Sequence, residues 1–193
     1  MKIDYSYSVC VQEKAELLQK VYSSNEIEVD TFDINFSGPE YGWLEAEIII
    51  NGESRYTILM SDVYPPFKDL VRWLEDIYEH WNIPSKTVGI NNESFNVFLS
   101  FDYLGRIDEI EEHVGLFTIG EEWDHIVLSF VAPIAKVVKT IYLKLRRYVL
   151  KHQTEFRREW DDTHWDHIDP RKLLRQVSSP VFEKGWCHKD IYG

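Results

Sequence analysis

The densest group of side chains that could do chemistry lies near the carboxyl end of the chain, within residues 161–169. Two histidines and four aspartates stand there close together. Imidazole and carboxylate groups are the ligands that Zn²⁺, Mn²⁺ and Fe²⁺ accept from proteins. On a helix, His164 and His167 would share one face, as would Asp162 and Asp166. The spacing therefore allows a metal-dependent hydrolase that uses His164, His167 and Asp162.

A second interpretation of the same segment needs no metal. The spacing matches none of the metalloprotease signatures, and a third ligand would have to come from elsewhere, such as Cys187 or His188. Carboxylates at this density are also typical of a solvated surface segment in which they pair with Arg157, Arg158 or Arg171. We expect residues 161–169 to be a solvated surface segment, and we expect no cofactor. The metal-dependent hydrolase is kept as an alternative.

Two other acidic segments, 111–113 and 121–125, place carboxylates beside a histidine. A carboxylate near a tryptophan, as in 121–125, could act as a general acid or base if burial raised its pKa. That segment precedes a predicted strand, which favours a loop at the edge of a sheet. The sequence also lacks a G-x-S-x-G elbow, a P-loop and a G-x-G-x-x-G loop, so we expect a protein that is not an enzyme.

The composition predicts a folded, cytoplasmic protein. Hydrophobic residues make up 44% and charged residues 28% of the 193 residues, which is typical of a globular chain with a full-sized core. Cys10 and Cys187 stand too far apart in such a chain to suggest a disulfide framework. The amino terminus lacks an apolar signal segment, and the longest apolar runs are far shorter than a membrane span. We therefore expect no membrane association.

The charge of the chain is divided into two unequal blocks. Residues 1–132 contain 25 Asp and Glu against 8 Lys and Arg, a net charge of −17, whereas residues 133–193 contain 8 against 13, a net charge of +5. The whole chain carries −12. A field of this sign repels nucleic acid and attracts basic proteins, so the charge favours a basic protein as partner.

The elements that position these residues can be placed from hydrophobic periodicity and turn signals. Asn51-Gly52 between two alternating runs predicts a β-hairpin over residues 43–60. An apolar stripe predicts an amphipathic helix over 67–81, and a longer stripe predicts a basic helix over 133–152. Further elements are a helix at 12–22, an extension of the basic helix at 155–162, strands at 28–36, 95–101, 116–119 and 126–132, and a short helix near 169–176, with a loop or tail over the last ten residues.

This order of elements predicts an α+β fold, in which amphipathic helices pack on one face of an antiparallel β-meander. We expect one domain over residues 1–193, with an acidic, sheet-rich part at 1–132 and a basic, helical part at 133–193. Strands and helices do not alternate strictly, which argues against a doubly wound parallel sheet.

The charge pattern leads to one main hypothesis about function. We expect an acidic interaction protein, in its most concrete form an immunity-type protein that neutralises a basic toxin domain. The carboxylates expected to meet the partner lie on the hairpin and on the first long helix: Glu45, Glu47, Glu75, Asp76 and Glu79. A nucleic-acid-associated protein that uses Arg146 and Arg147 of the basic helix is the other alternative.

Overall fold

The computed structural model describes residues 8–23, 28–81, 86–107, 112–121, 125–159 and 170–185. Its helices are α1 (Ser8–Ser23), α2 (Phe67–Glu79), α3 (Ile134–Lys151), α4 (Gln153–Glu159), α5 (Pro170–Gln176) and α6 (Pro180–Gly185). Its strands are β1 (Phe32–Glu40), β2 (Trp43–Ile50), β3 (Glu53–Ser61), β4 (Lys86–Asn91), β5 (Asn96–Ile107), β6 (Glu112–Glu121) and β7 (His125–Pro133). This combination confirms the α+β class.

The strands form two antiparallel sheets. One sheet has the order β1-β2-β3, and the other has the order β4-β5-β6-β7. The chain leaves the first sheet at Pro65-Pro66 and crosses to the second through α2. Proline cannot donate a hydrogen bond to a ladder, so this pair ends the first meander. Each sheet is thus a meander of its own, and the expected single meander is divided at this point.

One core lies between the inner faces of the two sheets and helices α2 and α3. The apolar stripe of α2 is buried there as predicted, with Leu70, Leu74 and Ile77 each no more than 1% exposed. Phe130 of β7 stacks on Phe32 of β1 at 5.3 Å between ring centroids and so joins the two sheets. An apolar cavity of about 30 Å³ remains between sheets and helices, and an apolar void of this size is expected to stay dry.

The β2–β3 hairpin forms at the residues that the sequence indicates. Asn51 and Gly52 have φ values of 53° and 80°, the positive values that a type I′ turn requires. The turn, together with a register shift of one residue between Ile48 and Ile49, places Glu45 opposite Leu59 and Glu47 opposite Thr57. These four side chains point away from the core, because Leu44, Ala46, Ile58 and their alternating neighbours fill the inner face.

The β4–β7 sheet is covered on both faces. Its inner face meets the common core, and α1 packs on its outer face against Val114, Leu116 and Val131. As a result, every residue from Val114 to Gly120 in β6 is buried. In a strand with one face in solvent, buried and exposed residues would alternate. The position of α1 departs from the expectation that the helices share one face of the sheet.

Two elements have no counterpart in the elements predicted from sequence. Strand β4 reads Lys86-Thr-Val-Gly-Ile-Asn91 and lies at a sheet edge, where two apolar residues are enough to hold it. Helix α6 begins at Pro180. Proline is favoured in the first turn of a helix, although in sequence it also indicates the end of a preceding helix. Within the described ranges, no helix combines the length and the apolar character needed to span a lipid bilayer.

Candidate protein-binding face

The outer face of the β1–β3 sheet is a surface of carboxylates, small polar groups and apolar side chains. We call it the hairpin face. Its cross-strand rows are set by the register, with Ser37, Glu45 and Leu59 in one row and Asn35, Glu47 and Thr57 in the next. Glu47 is half-buried and the other five side chains are exposed to solvent. The face is therefore open to a partner.

Each central carboxylate is held from the β1 side. The Ser37 hydroxyl donates to Glu45 Oε2 at 3.0 Å, and the Asn35 amide donates to Glu47 Oε2 at 3.4 Å. Residues two apart on a strand point to the same side, about 7 Å from each other. Because a carboxylate has room for about four hydrogen bonds, both groups keep acceptor sites for incoming donors.

Apolar groups lie beside these carboxylates. Leu59, in the row of Glu45, is 38% exposed, and the half-buried Trp43 precedes Glu45 on the same side of β2. At the end of the sheet where Trp43 lies, Tyr41 is 89% exposed in the β1–β2 turn, and Val63 and Tyr64 are exposed after β3. Exposed aromatic and aliphatic groups next to charges are typical of protein interfaces.

The β1–β2 turn is fastened to the helical part of the protein. The Tyr41 N–H donates to Glu159 Oε2 of α4 at 3.2 Å. The Tyr148 hydroxyl of α3 donates to the Gly38 carbonyl oxygen. Hydrogen bonds from Arg158 and from the Tyr41 N–H lower the pKa of Glu159, which keeps the carboxylate charged and able to accept them. The turn and its exposed Tyr41 side chain are thus presented from a fixed position.

The carboxylates of α2 differ from those of the hairpin face. Glu75 is half-buried and accepts a hydrogen bond at 2.5 Å from Ser179, which is fully buried, so the expected exposure of Glu75 is not found. Asp76 lies 3.2 Å from Lys86 Nζ and 3.7 Å from His80 Nδ1. Glu79 is exposed as expected. We therefore restrict the candidate face to the hairpin and leave α2 out of it.

The His/Asp cluster at 161–169, with His164, His167 and Asp162, lies outside the described residues, as do Cys187 and His188. Among the residues that the structure does describe, no group of three or more His, Cys, Asp or Glu side chains could hold a metal ion. The metal-dependent alternative therefore stays a prediction from sequence.

The other two acidic segments use their described residues in contacts between elements. Glu121 of β6 accepts a hydrogen bond at 2.5 Å from the Tyr56 hydroxyl of β3. His113 of β6 contacts the Tyr103 hydroxyl through Nδ1 at 3.0 Å, and its ring stacks on Trp81 at 4.1 Å between centroids. Both side chains therefore join parts of the fold, and local sequence patterns do not indicate these pairings.

The basic helix α3 directs several of its cations towards carboxylates of this chain. Arg146 is 6% exposed and pairs with Glu183 of α6 at 2.9 Å. Lys144 pairs with Asp33 of β1 at 2.6 Å. Arg147 is exposed. The burial of Arg146 removes it from any surface that could meet a phosphate backbone.

Comparison with known proteins finds no relative of this chain. The chain matches no protein-family model, no curated protein and no solved structure. Function is therefore inferred from the residues described above.

Proposed function

We propose that this protein binds a basic protein through the hairpin face and blocks its activity, as an immunity-type inhibitor does for a toxin domain. One observation carries the proposal: two carboxylates, Glu45 and Glu47, stand beside the exposed Leu59 at the centre of a sheet face that is open to solvent. Charge complementarity selects the partner, because such a face accepts hydrogen bonds from lysine and arginine side chains.

The spacing of the carboxylates favours a partner with two cations. Two carboxylates about 7 Å apart along a strand can each accept hydrogen bonds from a separate lysine or arginine side chain. The hydrogen bonds from Ser37 and Asn35 restrict the rotamers of Glu45 and Glu47 before binding. Side chains ordered in advance lose less entropy on binding, which favours affinity.

The apolar groups of the hairpin face can supply binding energy through burial, which exposed charges do not provide. Binding energy is concentrated in a few side chains that are desolvated near the centre of the contact. Leu59 lies in the same row as Glu45, and Trp43 lies in the next row, so both can become buried against an apolar residue of the partner. The carboxylates around them then provide orientation and specificity.

The net charge of the chain favours fast association. The chain carries −12, and cations such as Lys144 and Arg146 are paired with carboxylates of the same molecule. The remaining field attracts a cationic partner over a distance of about one Debye length, roughly 8 Å at physiological salt. The association rate should therefore fall steeply as salt is added.

The test compares two double variants that remove the same charge from different places. Glu45→Gln with Glu47→Gln changes the hairpin face, and Glu16→Gln with Glu79→Gln changes two exposed acids on α1 and α2. Each protein is immobilised and exposed to the soluble proteins of its native host, and the recovered partner is identified and purified. The association rate with that partner is then measured by stopped flow as a function of salt.

We expect the hairpin-face variant to lose recovery of the partner, because lost contacts speed dissociation. We also expect it to slow association at least about tenfold, because the removed charges lie at the contact itself. The matched control should retain recovery and slow association less. Equal effects of the two variants would show that only net charge matters and would contradict the proposed face. Recovery of nucleic acid in place of a protein, with loss caused by Arg147→Ala, would support the nucleic-acid alternative.

A further inference from the structure

Helix α1 covers the outer face of the β4–β7 sheet with a contact that is partly apolar and partly polar. Val114, Leu116 and Val131 of the sheet are buried beneath it. The helix contributes Leu17, Leu18 and Val21, and all three remain half-buried. Hydrophobic stabilisation is roughly proportional to the apolar area removed from water, so these three side chains contribute less than fully buried ones would.

A polar strip runs under the same helix. Ser100, Asp102 and Thr118 point to the outer face and are 6%, 7% and 3% exposed. Ser100 and Thr118 hydrogen-bond to each other. Lys14 of α1 is 8% exposed and places Nζ 2.6 Å from Asp102 Oδ2. The helix therefore buries an ion pair where an apolar contact would usually be found.

A buried ion pair determines where two elements dock more than it stabilises their contact. Removing two charges from water costs about as much free energy as their attraction returns, so the pair adds little to the closing of the helix. Removing one partner is different, because the other charge is then left buried and unpaired. Lys14 and Asp102 thus define where α1 docks, and the docked state depends on both of them being present.

Further polar contacts secure the two ends of the helix. Glu13 Oε2 accepts a hydrogen bond at 3.2 Å from the N–H of Ile126 in edge strand β7. The Tyr22 hydroxyl donates at 3.1 Å to the carbonyl oxygen of Tyr103. Tyr22 is 62% exposed, so water can replace this bond at little cost.

We propose that α1 opens as a unit while both sheets stay folded, and that the Lys14–Asp102 ion pair is the latch that fixes the docked position of the helix. Elements with little buried apolar contact open at lower free energy than the whole protein. Opening presents the Asp102 carboxylate together with the apolar side chains of Leu116 and Val131. The outer face of the β4–β7 sheet, which α1 covers in the closed protein, is then exposed to solvent.

The first test uses the unmodified protein. Native-state hydrogen exchange is measured at increasing urea below the unfolding transition. An isolated helix of 16 residues is marginal in water, so the Leu18 and Val21 amides should exchange when α1 opens. We expect these amides to exchange with a shallow urea dependence, and the Phe101 and Phe117 amides with the steep dependence of global unfolding. A single steep dependence for all four amides would overturn the proposal.

The second test places one thiol on each face of the sheet, in a background in which Cys10 and Cys187 are replaced by serine. Ser100→Cys lies on the outer face, two residues from Asp102 in β5, and Ala132→Cys lies on the inner face, where it is fully buried. We expect a thiol reagent to label Ser100→Cys at least about tenfold faster, with the weaker urea dependence. Equal labelling rates with equal urea dependence would overturn the proposal.

The latch is tested by Lys14→Met in the Ser100→Cys protein. Methionine keeps an apolar stem but leaves Asp102 buried without its cation. Loss of one member of a buried ion pair is strongly destabilising, so labelling of Ser100→Cys should rise about 100-fold and keep its weak urea dependence. An unchanged labelling rate would overturn the assignment of the latch. If Lys14→Met does not fold, hydrogen exchange in the unmodified protein still decides whether α1 opens on its own.

Discussion

Lys144 Nζ of α3 lies 2.6 Å from Asp33 Oδ1 of β1, so an ion pair joins the basic part of the chain to the acidic part. Lys136 of α3 lies 3.6 Å from Glu112 of β6 and makes a second such link. Pairs as exposed as these contribute at most about 1 kcal/mol each to stability. They do show one role of the basic residues of α3, which is to pair with carboxylates of the sheets on which the helix packs.

The Arg146–Glu183 pair provides the first prediction. Arg146 Nη2 lies 2.9 Å from Glu183 Oε1, and Nη1 donates to the Ser178 hydroxyl at 2.6 Å. Arg146→Ala should lower the free energy of unfolding by roughly 1.5–3 kcal/mol, because it removes the hydrogen bonds that a buried guanidinium makes to Ser178 and Glu183. Urea denaturation measures the change.

The neighbouring Arg147 is a matched control for that variant. Its side chain is exposed, so Arg147→Ala should change the free energy of unfolding by no more than about 0.5 kcal/mol. If Arg146→Ala and Arg147→Ala had equal, small effects, the packing of α6 against α3 would be refuted.

The core position of α2 provides the second prediction. Leu74 is fully buried, and Leu74→Ala should lower the free energy of unfolding by about 2–5 kcal/mol through lost burial and the cavity left behind. Lys68→Ala, on the exposed side of the same helix, should have an effect of about 0.5 kcal/mol or less. An unchanged denaturation midpoint for Leu74→Ala would mean that α2 is wrongly placed.

The Tyr56–Glu121 hydrogen bond provides a prediction about pH. Burial raises the pKa of the Tyr56 phenol, and the hydrogen bond to Glu121 and the charge of that carboxylate raise it further. In the unfolded chain a tyrosine ionises near pH 10, roughly its reference pKa. The stability due to this tyrosine is therefore fully present below about pH 10 and is lost as the pH rises towards the higher folded pKa.

Tyr56→Phe tests that dependence, because phenylalanine cannot ionise. Urea midpoints measured between about pH 9 and 11 should fall less steeply with pH in the variant than in the unmodified protein. Glu121→Gln removes the carboxylate charge and should reduce the slope in part. A slope that is the same in all three proteins would show that Tyr56 ionises no differently in the folded and unfolded states.

The last prediction concerns the His/Asp cluster at 161–169. If it is a charged surface segment, EDTA should leave the melting temperature unchanged, and added Zn²⁺ should not raise it. A bound metal would stabilise the folded protein by mass action, with a shift that grows with metal concentration. A melt that depends on metal in this way, and loses the dependence in His164→Ala with His167→Ala, would support the metal-dependent alternative.

The elements that the sequence determined are those whose signals are local. The Asn51-Gly52 turn places β2 and β3, and the alternation within each strand decides that Glu45, Glu47 and Leu59 share the outer face. The apolar stripe of α2 likewise determines which side of that helix is buried. In these cases a side chain's direction follows from the backbone period, so no distant residue is needed to predict it.

Only the tertiary structure decided which charges face a partner and which serve the fold. Glu75 looks like an exposed acid in sequence, yet it bonds to Ser179, which is 104 residues away. Arg146 looks like an exposed cation, yet it is buried against α6. The division into two sheets and the covering of one of them by α1 are decided in the same way. Each depends on contacts between elements that are distant along the chain, and local periodicity carries no information about such contacts.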